Sequence, residues 1–323
     1  MTIKVKWGFI GCGDVTEVKS GPAFNKIENS EVVAVMRRNG QKAEDYALRH
    51  GIARWYDNAT HLINDKEVNA IYIATPPSTH AKYAIEAMQA GKPIYVEKPM
   101  ATTYQECLDM NKVSKATGVP LFVAYYRRTL PGFLKVKELV EEGRVGKPLL
   151  VNIRLMRPAQ KEERNNLSWR IDANTAGGGL FYDLASHQID FMTFVFGEVV
   201  DVNGAIANMA GFYAAEDTVV ANFKFSSGVL GSGMWSFVTG IESAEDTMEI
   251  IGTEGKIVFS GFGHSPIELI TSKGTVSFPS LNPENIQYEL IKEVVEAIQG
   301  KKLSVSTGET AAHTNWVMEQ IVK

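Results

Sequence analysis

Apolar positions come in short continuous blocks in the first part of the chain and at alternate positions further on. Residues 4–10 (Lys-Val-Lys-Trp-Gly-Phe-Ile) read as a buried strand, and the glycines at 11 and 13 turn it into a segment running through residue 24. Residues 32–36 repeat the strand pattern. In 42–50, Ala43, Tyr46 and Ala47 recur at helical spacing, and Gly51 stops the run. Residues 70–74, 94–96 and 121–124 predict further buried strands; 80–89 and 104–117 predict helices ended by Gly91 and Gly118. Strand and helix alternating in this way predict a doubly wound parallel sheet.

After Pro131 the period changes. A helix over 133–142 and a loop with Gly143 and Gly146 lead into period-two strands at 149–156, 199–208, 218–225, 229–237, 247–251 and 256–259, all expected to be antiparallel. Within this region a helix over 180–196 opens after Gly177, Gly178 and Gly179, and helices near 284–299 and 309–322 close the chain. The expected fold class is α/β, with a parallel sheet first and an α+β domain on an open, mainly antiparallel sheet second. The expected boundaries are 1–125 and 126–323, the C-terminal helix packing back on the first domain.

Composition narrows the function. A chain of 323 residues exceeds what one core usually serves, and 45% hydrophobic with 22% charged residues is ordinary for a globular protein. Lys and Arg number 33 against 37 Asp and Glu, a net charge of -4 with no basic stripe, so nucleic acid and membrane surfaces are not expected partners. Two cysteines, Cys12 and Cys107, and no apolar signal core in residues 1–7 point to a reducing cytoplasm. No apolar run approaches the roughly 18–20 residues of a membrane helix.

The chemistry-bearing residues lie at strand ends. Gly11-Cys12-Gly13-Asp14-Val15-Thr16 follows the first strand, where glycine permits a tight turn and lets backbone N–H groups approach a pyrophosphate; Thr16 stands where a third glycine is usual. Arg37 and Arg38 end the second strand, where an acidic residue would select a ribose hydroxyl. Their guanidiniums suit a 2'-phosphate, so NADP is expected and NAD is the alternative. Thr75-Pro76-Pro77 and His80 follow the third strand, and Glu97-Lys98 the next, which places an ammonium in the same crevice. Asp183, His187 and Asp190 fall at i, i+4 and i+7 on one helix face, a carboxylate and a proton shuttle one turn apart. The plain alternative is that Asp183 complements the helix dipole and His187 pairs with Asp190. No third His or Cys sits at ligand spacing, so no metal is expected.

The glycine turn, Thr75-Pro-Pro with His80, Glu97-Lys98-Pro99, and Gly177-Gly-Gly followed by Asp183, His187 and Asp190 together resemble the Gfo/Idh/MocA oxidoreductases across essentially the whole chain. The glycine turn and paired arginines are most similar to its NADP-using branch of dihydrodiol and xylose dehydrogenases and anhydrofructose reductase. The resemblance implies a Rossmann domain that holds the nucleotide through Gly11, Cys12, Gly13, Asp14, Val15, Arg37, Arg38, Thr75, Pro76, Pro77, His80, Glu97 and Lys98. It implies hydride transfer between nicotinamide C4 and a carbon of a sugar, polyol or related diol. Lys98 then stands at the reacting hydroxyl, Asp183 holds the substrate and His187 exchanges the proton. Tyr126 and Arg128, where relatives carry an Asn-Arg-Arg-like segment, and Trp169 and Arg170 are further substrate candidates, with domain packing as their alternative. The resemblance also implies a homodimer or homotetramer through the open sheet face, to which strand 229–237 contributes with Met234 and Trp235 on opposite sides. A second reading within the family is an NAD-retaining glycosidase that oxidises transiently and cleaves by elimination. A nucleotide sensor would have no use for the Lys98, Asp183 and His187 set.

Overall fold

In a computed structural model of the chain, residues 3–323 are described; Met1 and Thr2, the start of the stretch read for a signal core, lie outside them. The opening apolar run forms β1 (Val5–Ile10). The segment after it is broken: residues Val15–Lys19 wind as a π-helical turn, and α1 (Gly21–Lys26) starts afresh behind Ser20. Gly21 is required there, because a Cβ would collide with the Thr16 carbonyl oxygen. Next come β2 (Ser30–Met36), α2 (Gly40–Arg49), β3 (Arg54–Tyr56), α3 (Ala59–Ile63) and β4 (Ala70–Ile73). Then follow α4 (His80–Gln89), β5 (Ile94–Val96), α5 (Tyr104–Thr117) and β6 (Leu121–Val123). The short β3 and α3 carry too few apolar positions to show a period, and sequence reading passes over them.

The second region contains α6 (Pro131–Glu141), β7 (Pro148–Met156), α7 (Lys161–Arg164), α8 (Ala173–Ala176), α9 (Leu180–Phe196), β8 (Val199–Ala207), β9 (Thr218–Phe225) and β10 (Leu230–Ser236). It continues through β11 (Glu245–Gly252), β12 (Gly255–Phe259), β13 (Ile267–Thr271) and β14 (Gly274–Phe278), and the chain ends with α10 (Tyr288–Ile298) and α11 (Gly308–Val322). Two compact units result. One runs to Tyr126 and takes in Pro283–Ala312; the other is Arg127–Asn282 with His313–Lys323. The returning segment therefore holds α10 and only the start of α11.

The first unit is a six-stranded parallel sheet in the order β3-β2-β1-β4-β5-β6. Strand order reverses between β1 and β4, so the crevice of this Rossmann sheet lies at their carboxyl ends. One face packs aliphatic residues such as Ile10, Ile73 and Val96; the other packs Trp7, Phe9, Phe24, Tyr72 and Tyr95, with Leu290, Ile291, Val294 and Val295 of α10.

The second unit is an eight-stranded sheet in the order β14-β13-β12-β11-β7-β10-β9-β8. It is mainly antiparallel, but β7 and β10 run parallel, against the expectation of antiparallel pairing throughout. Period-two patterning reports which faces a strand buries, not the direction of its neighbour. The long connection through α9, β8 and β9 supplies the crossover that parallel pairing needs. β13 and β14 lie beyond the strands that the sequence predicts; each has only five residues and two alternating apolar positions, Ile267 and Leu269 in one and Val276 and Phe278 in the other.

Candidate active site

At the end of β1, Gly11 has φ +98°, and a Cβ there would lie 2.8 Å from the Thr75 backbone nitrogen. Only glycine fits this turn, and it brings the β1 and β4 ends together. A Cβ on Gly13 would meet nothing within 4 Å, so its backbone faces open space where a bulky anion has room. Thr16, in the place of the third glycine, is buried, and its hydroxyl donates to the Gly13 carbonyl at 2.7 Å. The Tyr46 hydroxyl donates to the Thr16 carbonyl at 2.9 Å, and Arg49 and His50 hold Glu17, so α2 braces the turn from outside. Two hydrogen bonds from Arg49 and one from His50 pull the Glu17 carboxyl down to about 2. Burial pushes the Cys12 thiol up to about 11, so Cys12 offers its backbone rather than a thiolate.

Asp14 is exposed and Val15 half-buried at the rim of this turn. Arg37 is half-buried and donates from Nη1 to the Cys12 carbonyl at 3.3 Å, whereas Arg38 is exposed. The Rossmann end thus carries two guanidiniums and no carboxylate after β2, and the glycine backbone fits a dinucleotide pyrophosphate.

Thr75 and Pro76 are half-buried and Pro77 is buried in the turn after β4. His80, at the start of α4, is fully buried and faces two backbone carbonyls, with Nε2 2.7 Å from Thr75 O and Nδ1 3.0 Å from Pro99 O. It ties two turns together instead of presenting a ring nitrogen to the crevice. Glu97 is likewise internal. Its Oε1 accepts from Gln287 Nε2 at 2.7 Å and lies 2.6 Å from the Tyr72 hydroxyl, while the Tyr95 hydroxyl donates to Gln287 Oε1 at 2.8 Å. Burial and the neighbouring carboxylate push both phenols well above their ordinary range. Lys98 follows directly, half-buried at the carboxyl end of β5, in a cis peptide with Pro99.

In the second unit, Gly179 caps α9, and its N–H donates to Glu216 Oε1 at 3.0 Å. Burial raises the Glu216 carboxyl above its usual range. Asp183 lies in the first turn of α9, and Arg170 reaches it with Nε 3.3 Å from Oδ2 while stacking 4.7 Å from the Trp169 ring centre. One turn on, His187 is buried with its ring edge-on to Phe262, centroids 6.1 Å apart. Successive turns of one helix therefore place the acid and the imidazole, as the spacing predicts, and the Trp169 and Arg170 pair stands with Asp183.

Two expectations change. Asp190 does not serve His187: Arg128 donates to its carboxylate from Nε at 2.8 Å and Nη2 at 2.7 Å, and Thr314 Oγ1 donates at 3.2 Å. Arg128, read as a substrate contact, is thus buried in an ion pair of the second unit, because a guanidinium removed from water needs a bidentate partner. Its neighbour Tyr126 is half-buried against the aromatic face of the first unit's core.

Asp246 and Phe262 carry no motif in the sequence, and Arg127 lies within the segment of which Tyr126 and Arg128 are the substrate candidates. Arg127 donates to the Gly261 carbonyl at 2.8 Å and lies 4.4 Å from the Phe262 ring centre. Asp246 accepts from Ser260 Oγ at 2.5 Å and from the N–H groups of Gly261, Phe262 and Gly263 at 2.9, 2.7 and 2.8 Å, which fixes the loop bearing Phe262 against His187. The Ser-Gly-Phe-Gly run between two strands was the available signal. Among the described residues no group of three or more His, Cys, Asp or Glu could hold a metal, and no helix is long and apolar enough to cross a membrane.

Known proteins match over both halves. Residues 5–125 match the oxidoreductase family model with an NAD-binding Rossmann fold, and 133–258 match the GFO/IDH/MocA C-terminal domain. Oxidoreductase P35 of Formosa agariphila is 38% identical over 99% of this chain and 98% of its own length. The 1,5-anhydro-D-fructose reductase of Ensifer adhaerens is 27% identical over 94% of this chain and 91% of its own. Among solved structures, a levoglucosan dehydrogenase in complex with NADH and levoglucosan has the same fold, with TM-score 0.88, 24% identity, and coverage of 98% of this chain and 96% of that one.

Proposed function

Because the chain belongs to the Gfo/Idh/MocA oxidoreductases, a nicotinamide-dependent sugar and polyol family, we propose that it is an NADP-dependent sugar or polyol dehydrogenase or reductase. The observation that carries this reading is Lys98 at the carboxyl end of β5, in the same sheet as the open backbone of Gly13. The nicotinamide, when bound, supplies a hydride acceptor or donor at C4. Asp183, held by Arg170 beside the Trp169 ring, binds a hydroxyl of the sugar. In the oxidation direction, His187 takes the hydroxyl proton as the carbon gives up its hydride and becomes a carbonyl. Lys98 orients that oxygen and stabilises its developing negative charge. In reduction His187 returns the proton. The preference for NADP rests on Arg37 and Arg38 and the lack of a carboxylate at the end of β2.

The composition, with two cysteines, supports a reducing cytoplasm as its place of work. The outer sheet face supports assembly with further copies. There Leu150 stands beside Leu230, and Met234 beside Val220, all exposed.

The test is a fluorescence titration of cofactor-stripped protein with NADPH and with NADH, followed by turnover of 1,5-anhydro-D-fructose, levoglucosan and inositols by wild-type, Lys98→Met and His187→Ala proteins. Tighter NADPH binding and at least a hundredfold loss of kcat in both folded variants are expected. NAD retained through purification, with sugar cleavage and no net change in NADPH, would transfer the assignment to the family's glycosidase chemistry.

A further inference from the structure

His80 is wholly buried, yet both of its ring nitrogens face backbone oxygens, Thr75 O at 2.7 Å and Pro99 O at 3.0 Å. A neutral imidazole has one N–H and one lone pair, so it gives a hydrogen bond to only one of two carbonyls. The imidazolium would serve both, at the cost of a buried charge. The charged side chain acting on the ring is Glu106 of α5, whose Oε2 already accepts from the N–H groups of Thr102 and Thr103 and from the Thr102 hydroxyl. Burial lowers the imidazole below its ordinary value, against the pull of the carbonyls, and keeps it neutral near pH 7. The neutral ring then donates to one of the two carbonyls and turns its bare nitrogen toward the other. A filler of the core would need neither nitrogen, and an apolar side chain of the same volume would avoid a lone pair set against a carbonyl oxygen.

The two carbonyls belong to the two turns that flank the crevice on this side of the sheet. Thr75 directly follows Ala74, whose N–H donates to the Ile10 carbonyl at 2.8 Å, and Pro99 directly follows Lys98. We infer that His80 is a positioning residue for Lys98: its ring is a strut of fixed length between the β4 turn and the Lys98–Pro99 turn, and it sets where the ammonium stands along the crevice. This rests on the proposed role of Lys98. The specificity of the strut lies in its donor. Glutamine at this position keeps an N–H for a carbonyl, whereas leucine fills the space and offers neither carbonyl one.

The test uses the full chain. In wild-type protein labelled with 15N at histidine, the His80 ring should show one protonated and one bare nitrogen near pH 7, and a ring protonated at both nitrogens there would overturn the strut. His80→Leu, if folded, should lose about tenfold to a hundredfold in kcat with KM for the sugar altered less than about threefold, and His80→Gln should recover most of that loss. A folded His80→Leu with wild-type kcat, while Lys98→Met is inactive, refutes the positioning role alone. A Lys98→Met protein with wild-type turnover refutes the role of Lys98 instead, and the ring measurement still reports whether the strut exists.

Discussion

The ion pair of Arg128 and Asp190 offers a quantitative check on how the second unit is held together. The two residues are 3% and 0% exposed, and the guanidinium grips both carboxylate oxygens. Burial pushes the Asp190 carboxyl up, and the Arg128 charge pulls it back. The pair as a whole therefore returns roughly what its desolvation costs, and its removal in one piece should be tolerated. Removal of one half should not. Asp190→Asn is isosteric and leaves no cavity, but it turns an amide N–H toward a guanidinium N–H and takes the Asp190 charge away from the buried Arg128. The expected loss is about 3–5 kcal/mol, or two to nearly four powers of ten in the folded to unfolded ratio. The double variant Arg128→Met with Asp190→Leu should lie within about 2 kcal/mol of wild type. Urea unfolding followed by circular dichroism on all three proteins gives both numbers. An Asp190→Asn cost below about 1 kcal/mol, or a double variant no better than the single one, would refute the reasoning.

Two further outcomes follow from the surface. Glu17 has its carboxyl drawn from 4.5 to about 2 by Arg49 and His50, so its contribution to stability is present above the unfolded value and disappears as pH falls toward 2. Glu17→Gln should therefore cost about 0.5–1 kcal/mol at pH 6 and nothing near pH 2, as read by thermal unfolding across pH. On the open sheet face, Met234→Glu should shift the wild-type oligomer toward monomer in light scattering at micromolar concentration, and a wild type that is already monomeric would remove the proposed assembly.

What could be read from the residues alone depended on range. The order of strands and helices in the Rossmann unit and the Asp183 and His187 spacing on α9 are local periodicities, and the structure places those elements close to where the sequence predicts them. Partners that are distant in the chain carry no such trace. Gln287 lies 190 positions from the Glu97 carboxylate it holds, and Arg128 lies 62 from Asp190. The parallel pairing of β7 with β10 was hidden for the same reason, since a strand's own pattern says nothing about which strand lies beside it. The break at Ser20 came from close packing of Gly21 on Thr16, a contact between backbones that leaves only the glycine itself as a sign.

The return of Pro283–Ala312 to the first unit has a consequence for how the protein is made. When the ribosome has released residues up to Tyr126, all six strands of the parallel sheet exist, yet one of its faces lacks Leu290, Ile291, Val294 and Val295. The carboxylate of Glu97 likewise has no Gln287. At about 5–20 residues per second the missing piece arrives only after the whole of β7 to β14 has been translated. For that interval the nascent chain displays Trp7, Phe9, Tyr72 and Tyr95 beneath an absent helix, a face that a chaperone would recognise. The nucleotide-binding half, first to be started, is thus completed only after β7 to β14 have been made, and the other half then waits for His313–Lys323.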